Sequence, residues 1–310
     1  MAEWQVVLVS LVASAIRMSV PIILAGLGGT FSERAGIANI GLEGMMLMGA
    51  FAGTAGAYLT NNPWLGVLFG LLAGALLGLL LAVLTVTFKA NQMVTGIGIN
   101  TFIQGLTAVL TSTVWGTKGY SPTVEGIPVL HLTWLEKVPF LGPILSQQSP
   151  LVWLTLLVVG ISWVFFFKTK TGLRVRALGE NPDAANAAGL PVDRLRYGCV
   201  IISGMLAAAG GVYLSLARAN LFSIKISGGR GFIALAANTF GNWNPIGVMG
   251  AGFVFGLGEA VQIQILGGQI PPQFIGMLPY LITIAAVCGA VHKVRPPAAA
   301  GKQYEGTITT

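Results

Sequence analysis

Long apolar runs separated by short polar connectors occupy almost the whole chain. A helix crosses the hydrocarbon core of a bilayer with about 20 mostly apolar residues. Stretches of that kind fall at 5–27, 37–60, 64–88, 93–115, 150–167, 197–218, 245–267 and 274–292. They predict eight full spans. A further apolar piece, "GFIALAANTFG" at 231–241, is bounded by glycines and too short for a comfortable crossing, so a short or broken element is expected there. The predicted fold class is all-α: a polytopic membrane bundle of about 8–10 transmembrane helices, forming one integral-membrane domain over residues 1–310.

Composition supports the pattern. The chain is 54% hydrophobic and 9% charged, with mean hydropathy +0.78, whereas soluble domains carry roughly 25% charge. The net charge of +7 is scattered between apolar runs with no aromatic-interleaved basic stripe, which argues against nucleic acid. Lysine and arginine mark the cytoplasmic side of short loops. Segment 168–196 carries Lys168, Lys170, Arg174, Arg176, Arg194 and Arg196, so it is expected inside. The C-terminal tail reads as inside too, and counting 231–241 as a crossing makes the parity agree. Loop 116–149 then falls outside. Arg218, Lys225 and Arg230 would also lie outside, against the rule, unless that segment folds back into the protein or one span is misplaced. The "ASA" near the N-terminus lacks the basic flank of a cleaved signal and is expected to be part of a retained span.

An internal repeat is visible. "NNPWLGVLFGLLAGALLG" from Asn61 and "NWNPIGVMGAGFVFGLGEA" from Asn242 both place Asn-Pro before a Gly-rich span. Parity sets the two prolines on opposite sides, as an inverted-topology repeat requires; shared Gly-rich composition is the competing explanation. The glycines within spans are expected to let helix backbones approach closely.

Two acids fall deep in apolar segments, Glu43 and Glu259. An intramembrane carboxylate is costly and faces the protein interior or a water-filled path. Asn39, Asn100, Gln104, Asn238 and Gln262 add polar content to the same or neighbouring spans. These seven residues are candidates for a translocation path, and equally for hydrogen bonds that hold helices together. Catalysis finds little support: there are two histidines, no HExxH, GxSxG or GxxxxGK[ST] pattern and no cluster with metal-ligand spacing. Cys199 and Cys288 have no CxxC partner and read as plain apolar positions.

"ALGENPDAANAAGLP" at 177–191 has the marks of a complete short helix. Asn181 is a good N-cap, Pro182 suits the first helical position, and Asp183 complements the helix dipole. Gly189 is placed as the residue past the C-cap and Pro191 blocks continuation. Two turns from 182 to 188 are marginal alone, so this helix needs a surface: its own transmembrane helices, or a groove in a cytoplasmic protein.

Four stretches resemble a known family: "FSERAGIANIGLEGMMLMGAF" at 31–51, "IPVLHLTWLEKVPFLGPILSQQSPLVWL" at 127–154, "RALGENPDAANAAGLPVDRLRY" at 176–197 and "GGRGFIALAANTFGNWNPIGVMGAGFVFG" at 228–256. The chain is similar to permease subunits of ATP-binding-cassette importers in the branched-chain amino acid and simple-sugar group, most of all to nucleoside-type permeases. The resemblance implies a bacterial inner-membrane permease with inverted repeats and a cytoplasmic C-terminus. Residues 177–191 would be its coupling helix, with Gly179, Glu180, Asn181, Ala184, Ala188 and Gly189 at the matching positions. It also implies partners: a second homologous permease, a tandem-domain cytoplasmic ATPase that uses ATP and Mg, and an extracytoplasmic substrate-binding lipoprotein, with no cofactor bound by this chain. Loop 116–149 and the basic segment near 219–230 would then be docking surfaces. Nucleosides suit a path of amides and small residues; simple sugars suit it too, and branched-chain amino acids less. The contrasting class is an ion-coupled secondary transporter with Glu43 or Glu259 as its coupling carboxylate.

Overall fold

The structure, a computed structural model, describes residues 3–131, 142, 144, 146–265 and 295–304. The predicted span 274–292 lies outside the described residues. The helices are α1 (Glu3–Arg34), α2 (Leu42–Thr60), α3 (Pro63–Ala82), α4 (Gln92–Trp115), α5 (Pro150–Lys168), α6 (Lys170–Glu180), α7 (Pro182–Ala187), α8 (Val192–Val212), α9 (Arg230–Phe240) and α10 (Pro245–Ile265). Wide π turns continue α3 through Thr87 and α8 through Ala219. A two-residue antiparallel ladder pairs β1 (Leu130–His131) with β2 (Gln147–Gln148). Among the described residues, six helices are long and apolar enough to cross a membrane.

Local chemistry sets the starts. Asn62 accepts hydrogen bonds from the N–H groups of Trp64 (2.9 Å) and Leu65, opening α3 at Pro63. Asn244 accepts from the N–H of Ile246 at 3.1 Å, opening α10 at Pro245. Asn91 and Ser149 cap α4 and α5 in the same way.

The first two spans differ from expectation. Apolar runs set them at 5–27 and 37–60, yet α1 continues to Arg34 and α2 begins only at Leu42. Gly36, at φ +83°, ends α1: its N–H bonds the Glu33 carbonyl at 2.9 Å and the Ile37 N–H bonds the Ser32 carbonyl at 2.9 Å. That is the glycine-terminated helix end in which two orphan carbonyls are satisfied. Residues 35–41 then run without helix into the protein.

Residue depth follows from the neighbours. Asn39 donates from Nδ2 to Ser203 Oγ at 2.9 Å, and Ser203 lies about 16 Å along α8 from Val192. Asn100, about 12 Å along α4, donates to the Ile40 carbonyl (2.9 Å) and accepts from the Gly44 N–H (2.7 Å). With a hydrocarbon core about 30 Å thick, α2 starts near mid-depth. The helix α9 starts at the same level, because its first N–H groups meet Glu43, and runs the other way. Both Asn-Pro helix starts follow these two broken elements, one at each face, as the inverted repeat predicts.

Loop 116–131 lies over the end of α8. The N–H groups of Ser121, Val124 and Ile127 bond the carbonyls of Phe222, Asn220 and Leu216 at 2.8–2.9 Å. The chain therefore enters α9 from the face opposite the basic loop, and residues 220–240 do complete a crossing. The Arg218–Arg230 exception resolves in part: Arg230 folds back to pair with Glu259 inside the protein (2.8 Å), whereas Arg218, which reaches Met18 Sδ, and Lys225 stay exposed. Arg230 is thus not available to the docking surface expected near 219–230.

Glycines sit where backbones touch. A Cβ on Gly74 would meet the Gly204 carbonyl oxygen, one on Gly204 would meet the Gly74 carbonyl, and one on Gly256 would lie 2.7 Å from the Ala15 carbonyl. So α3 packs on α8 and α10 on α1 through small residues, matching the close-approach expectation. Cys199 is buried in a cluster with Phe31, Phe166 and Val175; Cys288 lies outside the described residues.

Candidate functional site

Two places concentrate unusual chemistry: the mid-depth meeting of α2 and α9, and the basic face around α7.

At mid-depth, Glu43 in the first turn of α2 is 5% exposed. Its Oε1 accepts from the Gly229 N–H (2.8 Å) and its Oε2 from the Gly231 N–H (2.7 Å). Unpaired N–H groups and the dipole make a helix start favourable for a carboxylate. Gly229 adopts φ +81°, and a Cβ on Gly231 would lie 2.5 Å from the Glu43 backbone, so both positions suit glycine. Arg230, between them, turns away and donates Nε (3.2 Å) and Nη2 (2.8 Å) to Glu259 Oε2 on α10. Glu259 is thus paired with a cation, and both oxygens of Glu43 are taken up by backbone N–H groups. Ion coupling through either would first require breaking these contacts.

The other candidates divide. Asn39 and Asn100 are buried and fully engaged, Asn39 also accepting from the Gly41 N–H at 3.0 Å. Asn238, fully buried on α9, accepts from Thr30 Oγ1 (2.7 Å) and donates to Glu33 Oε2 (3.1 Å). Gln262 is half-buried on α10. Gln104 is exposed on the outward face of α4, among the exposed small and hydroxyl residues Gly98, Thr101, Gly105, Ala108 and Ser112. The outward face of α3, by contrast, shows Leu65, Leu68, Phe69, Leu72, Leu76, Leu79 and Leu80.

Sequence reading missed Glu33 and Trp243. The indole N–H of Trp243 donates to Glu33 Oε2, and Arg34 Nε donates to the Trp243 carbonyl at 3.0 Å. With Asn238 they tie the end of α9 to the end of α1. The available signal was an acid in the last turn of a span, in "FSERAG", and a tryptophan held between two asparagines.

On the basic face the short helix forms as expected. Asn181 Oδ1 accepts from the Ala184 N–H at 3.0 Å. Gly189 has φ +75°; its N–H bonds the Asn186 carbonyl (2.8 Å) and the Leu190 N–H bonds the Ala185 carbonyl (3.1 Å). Ala185 is buried beside Phe31, Phe166 and Leu178, with Leu190 packed against the same cluster. Ala184, Ala187, Ala188 and Gly189 face outward, and nothing lies within 4 Å of a Cβ on Gly189. One turn of the helix thus grips its own protein while the rest leaves small residues exposed.

The resemblance placed 177–191 in one coupling helix, but the chain breaks at Asn181. Gly179 and Glu180 end α6. A Cβ on Gly179 would strike the Arg34 carbonyl, so that glycine serves packing under α1. Arg196, counted among the basic residues that mark the inside, is 2% exposed; its Nε donates to the Ala35 carbonyl (3.2 Å) and Tyr304 covers its guanidinium.

The fold and these sites define a polytopic α-helical membrane protein in which two helices, α2 and the shorter α9, start against each other inside the bundle and run in opposite directions. Residues 11–287 match the family model described as branched-chain amino acid transport system, permease component. The chain belongs to that family. It is 39% identical to the nucleoside ABC transporter permease protein NupC of Lactococcus lactis subsp. cremoris (strain MG1363), over 95% of this chain and 96% of that one. It is 36% identical to the guanosine ABC transporter permease protein NupQ of Bacillus subtilis (strain 168), again over 95% and 96%. A more distant relative from the same Lactococcus strain, the nucleoside ABC transporter permease protein NupB, is 23% identical over 93% of this chain and 82% of its own.

Proposed function

We propose that this chain is the permease subunit of an ATP-binding-cassette importer that carries nucleosides across the bacterial cytoplasmic membrane. The near full-length identity to the nucleoside and guanosine permeases carries this reading. The capped helix α7, with its outward face of Ala184, Ala187, Ala188 and Gly189, supports it as a surface for a cytoplasmic ATPase. That ATPase supplies the ATP and Mg chemistry, and the permease itself is not an enzyme. Gating is then a rigid-body transition biased by a partner that binds the two states differently.

Orientation follows from charge. Lys168, Lys170, Arg174, Arg176 and Arg194 gather on the face that carries α7, which the positive-inside bias sets in the cytoplasm. Tail residues 295–304 bond to that face, which supports a cytoplasmic C-terminus. The second permease is a homologue and not an identical copy, in keeping with two nucleoside permease proteins of unequal similarity from one Lactococcus strain. Gln104 and its small neighbours on α4 face this second subunit or the path between the two. A substrate-binding lipoprotein delivers solute to the opposite face, at loop 116–131 and the exposed Lys225.

The test is reconstitution of this chain with its neighbouring-gene ATPase, second permease and binding protein in liposomes. ATP-dependent uptake of labelled guanosine or adenosine is expected. Uptake of glucose or leucine in their place would overturn the substrate, and uptake by the chain alone on a proton or sodium gradient would overturn the class.

A further inference from the structure

Residues 295–304 do more than end the chain on the basic face. The Arg295 N–H bonds Asn242 Oδ1 (3.1 Å), in the turn that leaves α9. The Ala299 N–H bonds the Gly179 carbonyl (2.9 Å), at the end of α6 beside the short helix. The Gly301 N–H bonds Gln92 Oε1 (3.1 Å), and Gln92 Nε2 donates to the Lys302 carbonyl (3.0 Å). Gln303 Nε2 reaches the Lys89 carbonyl (3.0 Å), and the Tyr304 ring lies 5.0 Å from the Arg196 guanidinium at the start of α8. One ten-residue strap thus joins α6, α8, the start of α4 and the exit of α9.

Gln92 matters most in this set. It is 3% exposed, and the same Oε1 that holds the strap accepts from the Ala38 N–H at 2.6 Å, inside the unwound stretch that leads into α2. The strap is therefore one amide away from one broken element and, through Asn242, in direct contact with the other. The short helix α7 touches the unwound stretch only at that stretch's first residue: Ala185, with Leu190 just past the helix, lies in a cluster drawn from α1, α5, α6 and α8 together with Ala35 and the strap's Tyr304.

From this geometry we infer that the C-terminal strap is a second coupling element, with Gln92 and Ala299 as positioning residues that carry movement of the α6–α7 segment to the entry of α2 and the exit of α9. Hydrogen bonds suit this task because the strap is short, nearly all its contacts are to backbone or amide groups, and each end sits on a different moving part. The inference rests on the reading of the chain as an ATP-driven permease.

The experiment uses the complete reconstituted importer. Gln92→Met keeps the side chain's length and removes both hydrogen-bonding ends; Ala299→Pro removes the N–H that meets Gly179; a third variant stops at residue 294. Expected for Gln92→Met and Ala299→Pro is a loss of ATP-dependent uptake of about tenfold, with ATP hydrolysis and ATPase retention on purification unchanged. Such uncoupling is something a merely structural contact does not produce. Truncation is expected to uncouple at least as strongly. Uptake and hydrolysis falling in parallel, or neither changing in the point variants, overturns the inference. Should the truncated chain fail to assemble, the two point variants decide. A wild-type assembly with no ATP-dependent uptake at all would instead strike the functional reading.

Discussion

The starts of α2 and α9 meet at one depth but are held by different chemistry. The entry to α2 is braced by neutral amides on helices that run the full membrane: Asn39 to Ser203 on α8, and Asn100 on α4 to Gly44 and Ile40. The entry to α9 is held by charge, with Glu43 on two N–H groups and Arg230 on Glu259. Charge-assisted hydrogen bonds are roughly twice as strong as neutral ones, yet a buried charge left alone is heavily penalised. The amide-braced start is thus a graded contact, whereas the charged one is made whole or not at all. The second kind is what a two-state element needs.

The largest effect is expected from Glu43→Leu. It leaves two buried N–H groups without an acceptor, costing about 3–5 kcal/mol, and thermal unfolding of the detergent-purified protein should show it. A shift no larger than that of an Asn100 variant would erase the contrast. Next comes Arg230→Met, expected to cost about 2–3 kcal/mol after discounting for the partial exposure of Arg230. Adding Glu259→Met to it should recover much of that loss, so a double-mutant cycle on melting midpoints reads the pair directly. For the neutral side, Asn100→Leu leaves the Gly44 N–H and the Ile40 carbonyl without a partner and is expected to cost about 2–3 kcal/mol, with uptake reduced in proportion to folded protein. A specific loss of transport at normal stability would make the α2 entry part of the gate as well. The smallest change in stability belongs to Asn181→Ala, about 1 kcal/mol from a lost N-cap. Its signature is functional: weaker ATPase retention on purification with the membrane bundle intact.

Much of this arrangement was legible locally. Asn181-Pro182 and Gly189 set the limits of α7, and the Asn-Pro pairs at 62–63 and 244–245 marked two helix starts, because capping acts within a few residues. The end of α1 was not: the polar residues of "TFSER" read as a connector although the helix runs through them to Arg34, and the more apolar "AGIANIG" that follows is unwound, so hydropathy points the wrong way there. Roles that depend on distant partners were equally hidden. Glu43 and Gly229 are 186 residues apart, and no local pattern joins them. Glu259 stood out as an acid in an apolar run, but that its partner is the out-of-place Arg230 appears only when the chain folds back. Gly179 was grouped with the short helix by position, whereas its cause is the Arg34 carbonyl above it.

The glycine contact between α3 and α8 has a mechanical meaning. At Gly74 and Gly204 the two backbones meet with no side chain between them, and close-packed interiors transmit strain instead of absorbing it. A joint without a soft layer does not shear, so the two helices turn together as one beam. Any gating movement is then expected to carry α3 and α8 together, with neighbouring helices moving against the pair.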